Sequence, residues 1–278
     1  MKLYNFETHC ILETPQGAYA IPSTWDALVN RTGLYHYLEG LLPELKTVAP
    51  IDAQQPLLPP VQSQEIWAAG VTYYRSKEAR EKESADSGGG SFYDRVYVAE
   101  RPELFFKSFP ERVAGHQGSV HIRRDSTWDV PEPELTLFIS SAGTVEGFTV
   151  GNDMSSRSIE GENPLYLAQA KVYDRSAALG PCLAVFPNDI PIDSRISLTI
   201  YRNDAQVFSG NTTIASIKRT WKELAEFLFR ETSFPNGVML MTGTGVVPPD
   251  EFTLKPGDKV CITIDHIGLL VNTVKYRS

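Results

Sequence analysis

Little in this chain of 278 residues points to cross-links, membranes or nucleic acid. It has 3 cysteines, Cys10, Cys182 and Cys261. They are odd in number, far apart, and lack the paired spacing of a zinc site or a redox couple. They are read as buried, reduced and structural. No stretch of about 18 apolar residues is present to cross a bilayer. The start, Met1-Lys2-Leu3-Tyr4-Asn5-Phe6-Glu7, has no apolar signal segment, so a cytoplasmic protein with no membrane partner is expected. Basic residues number 26 against 34 acidic ones, and the net charge of −8 argues against life on nucleic acid, which needs clustered positive charge. Internal repeats, heptads and low-complexity tails are also missing. What remains is an ordinary folding composition, 42% hydrophobic and 22% charged, sufficient for one main core.

The chain divides softly near residue 60. Residues 1–60 read as a small N-terminal α/β domain: a short β-like start, then an amphipathic helix over 24–42 with Leu28, Leu34, Tyr35, Leu38 and Leu42 near helical spacing. Leu57-Leu58-Pro59-Pro60-Val61 interrupts regular structure, because proline fixes φ and donates no hydrogen bond. From Trp67 onward the pattern becomes short β-branched runs punctuated by Gly and Pro, at 135–139, 144–150, 196–201 and 260–264. Residues 61–278 are therefore expected to form a mostly β, α+β domain. One clear helix is expected over 216–231, striped by Ile217, Trp221, Leu224, Leu228 and Phe229. A charged helix over 72–86, followed by the glycine-rich 87–91, is read as either a mobile lid or a solvated surface helix.

The chemically informative segment is Pro131-Glu132-Pro133-Glu134-Leu135. A residue before proline is driven out of the helical region, so Glu132 is extended. In an extended chain, residues two apart face the same way, which sets two carboxylates side by side. Like charges repel unless a cation, a proton or solvent relieves them. A solvated acidic strand edge is the ordinary outcome of a bare Glu-x-Glu. Here Gly151-Asn152-Asp153-Met154-Ser155-Ser156-Arg157 offers a third carboxylate after a strand. Three oxygen ligands without nearby His or Cys suit a hard cation: Mg²⁺ first, Mn²⁺ or Ca²⁺ next.

These residues, with Phe105-Phe106-Lys107, Lys171, Gly180-Pro181 and Thr242-Gly243-Thr244 in the same order, resemble the fumarylacetoacetate hydrolase family. The similarity covers roughly residues 65 to 278, and the ordered set is more specific than any single motif. It implies a mixed β-sandwich roll, a homodimer or homotetramer, and a small-molecule 2-keto acid as substrate. It places metal binding on Glu132, Glu134 and Asp153, catalysis on Lys171 and Glu103, and substrate contacts on Lys107, Arg157 and Thr244. Arg101-Pro102-Glu103-Leu104 and Glu162-Asn163-Pro164-Leu165-Tyr166 resemble the branch that dehydrates 2-keto-3-deoxy sugar acids. Hydrolytic members often carry a water-activating His where this chain has Ser76, and serine without a base cannot take a proton from water near neutral pH. The expected activity is thus a Mg²⁺-dependent hydro-lyase. Hydrolysis or isomerisation of a diketo acid or unsaturated dioate is the alternative within the fold, and a non-catalytic metal- or ligand-binding protein the alternative from another class. Of the histidines, His116 and His121 lie nearest the motif strands and are read as structural.

Overall fold

The Pro-Glu-Pro-Glu stretch and the apolar run behind it fold as one eleven-residue strand, Asp129–Ile139, with every residue buried. It pairs along its whole length with Val145–Ser156. Around this ribbon the computed structural model, which describes residues 1–52, 54–73 and 95–278, builds two sheets. Among the described residues the larger has eleven strands. From edge to edge they run Lys46–Val48, Gly17–Ile21, Cys10–Thr14, Lys2–Asn5, Ala177–Ala184, Val145–Ser156, Asp129–Ile139, Val238–Met241, Glu65–Gly70 and Glu103–Ser108, with Val113–Ala114 joined to Ala177–Ala184. The smaller sheet has the order Ala205–Thr213, Arg195–Arg202, Lys259–Ile264, Gly268–Tyr276 and Ser119–Ile122. Both mix parallel and antiparallel pairs. The expected mostly β fold with a few helices is what forms, and each of the four expected strand runs lies within an observed strand apart from the first residue of 144–150.

Side-chain alternation assigns the faces. Leu135, Leu137 and Ile139 point into the sandwich, where they meet Ile196, Leu198, Val260 and Ile262 of the small sheet. Each is fully buried, and each such side chain contributes about 1.5–3 kcal/mol relative to exposure, which anchors the strand firmly. The even-numbered residues face the other way. Phe138 packs there with Ile66, Met239 and Met241 beneath Trp25, Leu28, Leu34 and Leu38 of the N-terminal helices.

The expected helix over 24–42 is two helices, Trp25–Val29 and Leu34–Leu41. Gly33 separates them at φ +74°, a conformation that glycine adopts without a Cβ penalty. The first 48 residues do not form a sheet of their own. Lys2–Asn5 pairs with Ala177–Ala184, so these strands extend the large sheet.

The expected helix over 216–231 is shorter, Trp221–Leu228, and buries Leu224, Ala225 and Leu228. Thr220 sets its start by accepting the Glu223 N–H at 3.2 Å. Residues 216–219 are drawn off elsewhere: the Lys218 N–H donates to the Thr72 carbonyl, and Arg219 takes the carbonyls of Val96, Ala99 and Glu100. The charged stretch of 72–86 beyond Tyr73, the glycine-rich 87–91 and Ser76 lie outside the described residues.

Candidate active site

The acidic pair stands on the helix-covered face of Asp129–Ile139. Asp153 lies directly across the strand pair from Glu132, while Glu134 faces Gly151. One carboxylate oxygen from each of Glu132, Glu134 and Asp153 lies within 4.8 Å of the others, and all three side chains are buried. The extended backbone imposed by the two prolines thus brings together the three residues expected to hold a metal.

Cations surround this cluster unevenly. The Lys171 ammonium donates to Glu132 Oε2 at 2.6 Å, Asp153 Oδ2 at 3.2 Å and Ser155 Oγ at 2.5 Å. Arg157 Nη2 donates to Glu132 Oε1 at 3.0 Å. Lys107 Nζ meets Asp153 Oδ1 at 2.5 Å and also donates to the carbonyls of Met154 and Lys171, at 2.9 and 2.5 Å. Glu134 accepts the Gly243 N–H at 2.6 Å, and no ammonium or guanidinium among the described residues pairs with it.

The proton affinities follow this layout. Burial first, then the neighbouring charges of Asp153 and Glu132, push the Glu134 carboxyl well above the usual carboxylate range. Burial also acts to raise Asp153, but Lys107 and Lys171 outweigh it and hold that carboxyl below its ordinary value. Burial lowers Lys107, with Asp153 opposing.

A divalent cation suits the donor set. It is all oxygen, it converges on one point, and Glu134, with no cationic partner among the described residues, is disfavoured in its ionised form.

Above the carboxylates is a narrow cavity. Ala69, Gly70, Val71, Phe105, Arg157, Lys171, Gly243 and Thr244 line it together with the acidic cluster. Thr244 is buried, with its hydroxyl donating to the Val246 carbonyl at 3.2 Å. The strand Glu103–Ser108 sends Glu103 and Phe105 to one side by its two-residue period, and after a register shift Lys107 reaches Asp153 on that side. Of the eight expected site residues, six line the cavity directly. The Glu103 side chain lies against Gly70 in the wall. Lys107, expected to touch substrate, is instead fully buried behind Asp153 and lines none of the cavity.

Two contributors carried no assigned role in the sequence: Ser155, which accepts from Lys171, and the Gly243 backbone, which donates to Glu134. Both stand inside quoted motifs, which was the available signal. His116 is buried and lines none of this cavity, its Nδ1 accepting the Val271 N–H at 3.3 Å. The cysteines are free; burial pushes the thiols of Cys10 and Cys182 up to about 12, which leaves them unreactive.

With this fold and this cluster, residues 65–275 match the fumarylacetoacetate hydrolase C-terminal family, and the chain belongs to it. It is 47% identical over 217 residues to a probable 2-keto-3-deoxyxylonate dehydratase of Haloferax volcanii, covering 77% of this chain and 73% of the relative. It is 39% identical over 221 residues to a 2-dehydro-3-deoxy-D-arabinonate dehydratase of Saccharolobus solfataricus, covering 78% and 74%. A solved 2-keto-3-deoxy-D-arabinonate dehydratase complexed with magnesium and 2,5-dioxopentanoate superposes with a TM-score of 0.85 at 31% identity, covering 100% of this chain and 99% of that one.

Proposed function

We propose that the protein is a Mg²⁺-dependent hydro-lyase that dehydrates a 2-keto-3-deoxy sugar acid, such as 2-keto-3-deoxy-arabinonate, to 2,5-dioxopentanoate. The observation that carries this reading is the buried Glu132, Glu134 and Asp153 cluster with the Lys171 ammonium seated against two of its members in the lining of a cavity. The likeness to dehydratases of such acids supports the substrate class.

Glu132, Glu134 and Asp153 would hold the cation. When bound, it would supply Lewis-acid stabilisation of the negative charge that develops on the 2-oxo group.

The chain's own groups handle protons and orientation. Lys171 directs its N–H bonds at Glu132, Asp153 and Ser155 and, as an ammonium, adds positive charge beside the forming enolate. Glu103, whose carboxyl lies against the cavity-lining Gly70, takes the C3 proton. The same carboxyl returns that proton to the C4 hydroxyl, which leaves as water and gives a C3–C4 double bond. In a five-carbon substrate, a proton shift from C5 to C3 yields an enol at C5, and ketonisation by protonation at C4 gives the aldehyde. Arg157 and Thr244 orient the substrate from the wall. Lys107 holds Asp153 from behind rather than contacting substrate.

The assembly we infer from the family resemblance is a homodimer or homotetramer, and the location the cytoplasm. No helix among the described residues is long and apolar enough to cross a membrane. Mass spectrometry with aldehyde trapping, on racemic 2-keto-3-deoxypentonate incubated with Mg²⁺ or with EDTA, tests the reading. Loss of one water and a trapped aldehyde in the Mg²⁺ sample is expected. Two carboxylic acid products from a diketo acid, with the sugar acid untouched, would move the assignment to hydrolysis.

A further inference from the structure

Glu103 opens its strand, and its partner across the antiparallel pair is Gly70. Residues directly opposite each other place their Cβ atoms about 4.5–5.5 Å apart on one face. Whatever stands at position 70 therefore shares the face used by the Glu103 carboxyl. With no side chain there, the Glu103 carboxyl occupies the room: a Cβ built on Gly70 would fall on its Oε2 and Cδ atoms.

Backbone conformation does not call for glycine at this point. Gly70 is absent from the residues with positive φ, and glycine in a strand interior weakens the strand. The steric vacancy is the remaining physical reason for it.

The chain leading into the strand is held in place. Arg219, only 6% exposed, donates to the carbonyls of Val96, Ala99 and Glu100 at 3.2, 2.7 and 3.0 Å, pinning the chain just before Glu103. A methyl group at 70 would be absorbed by the Glu103 side chain, swinging its carboxyl off the wall that Gly70 helps to form.

We propose that Gly70 is a positioning residue for the reaction: its missing side chain lets Glu103 lay its carboxyl across the strand pair, against this cavity-lining glycine. The proposal rests on the reading above that Glu103 moves the substrate proton.

A double-mutant cycle of G70A and E103A tests it, read by melting temperature and by kcat on racemic 2-keto-3-deoxypentonate with saturating Mg²⁺. G70A alone should lower kcat about a hundredfold, the scale of a 1 Å misplacement, with KM changed by less than about threefold. Added to E103A, it should change kcat by less than about twofold, because nothing remains to displace. The melting temperature should fall with G70A in the Glu103 protein and hold in the E103A background. Equal losses in both backgrounds, or full activity of G70A, would overturn the proposal. If even the wild-type protein leaves the sugar acid intact, the functional reading fails. The melting cycle then decides the contact alone, with additive losses counting against it.

Discussion

The two sides of Asp153 are built alike and do different work. Each presents a fully buried lysine to one oxygen of the same carboxylate: Lys107 to Oδ1 and Lys171 to Oδ2. On the cavity side, Lys171 shares its face with Arg157, Thr244 and the open space where a substrate can sit. Behind, Lys107 is closed in by two backbone carbonyls and by the Tyr173 ring, whose centroid is 5.8 Å away. A buried charge is tolerated only when paired and hydrogen-bonded, and both are. The difference is access. The lysine on the cavity can reach a molecule bound there, and the one behind acts with it to hold the Asp153 carboxyl below its ordinary value.

Substitutions should separate these sides. The largest effect is expected from D153N, which removes the group they share: turnover should fall by about a thousandfold or more and Mn²⁺ affinity should collapse with it, as read by kinetics and calorimetry. K171M comes next, with kcat lowered about a hundred- to ten-thousandfold while metal affinity holds within about tenfold. K107M should invert that pattern, weakening metal about ten- to a hundredfold, with turnover largely recovered at saturating metal. Equal kinetic damage from the two lysine variants would erase the distinction between the sides.

The smallest effect concerns stability on the other face of the same strand. Asp129 is 2% exposed, and burial above all raises its carboxyl from 3.8 to about 6. A folded value above the unfolded one means that the native state favours the protonated acid. This contribution is present in full below the unfolded value and is lost as pH rises through about 6. Relative to D129N, the protein should therefore lose up to about 2–3 kcal/mol between about pH 4 and about pH 8. Urea midpoints of both proteins across that range measure it, and parallel curves would contradict it.

How much was legible in the sequence depended on how local each cause was. The prolines at 131 and 133 act on their immediate neighbours, so the shared face of Glu132 and Glu134 could be read directly from them. The pairing of Asp153 with Glu132 is a contact between strands, and the ordered motifs stood in for it. Which side of Asp153 a lysine would occupy had no such proxy. Lys107 sits on the same face of its strand as Glu103 and Phe105, and only the packing of other elements closes it off from the cavity. The helix over 24–42 was overextended because its apolar spacing continues through Gly33, where the backbone turns left-handed. The helix over 216–231 was overextended for a non-local reason, since Lys218 and Arg219 are engaged by carbonyls far away in the chain.

We propose that the buried carboxylate cluster works through a divalent cation. The most direct measurement is the initial rate of aldehyde formation from 2-keto-3-deoxypentonate against free Mg²⁺, starting from protein stripped with EDTA. The rate should start at background, rise with Mg²⁺ and saturate. A full rate in the stripped protein, unchanged by added Mg²⁺, would contradict it.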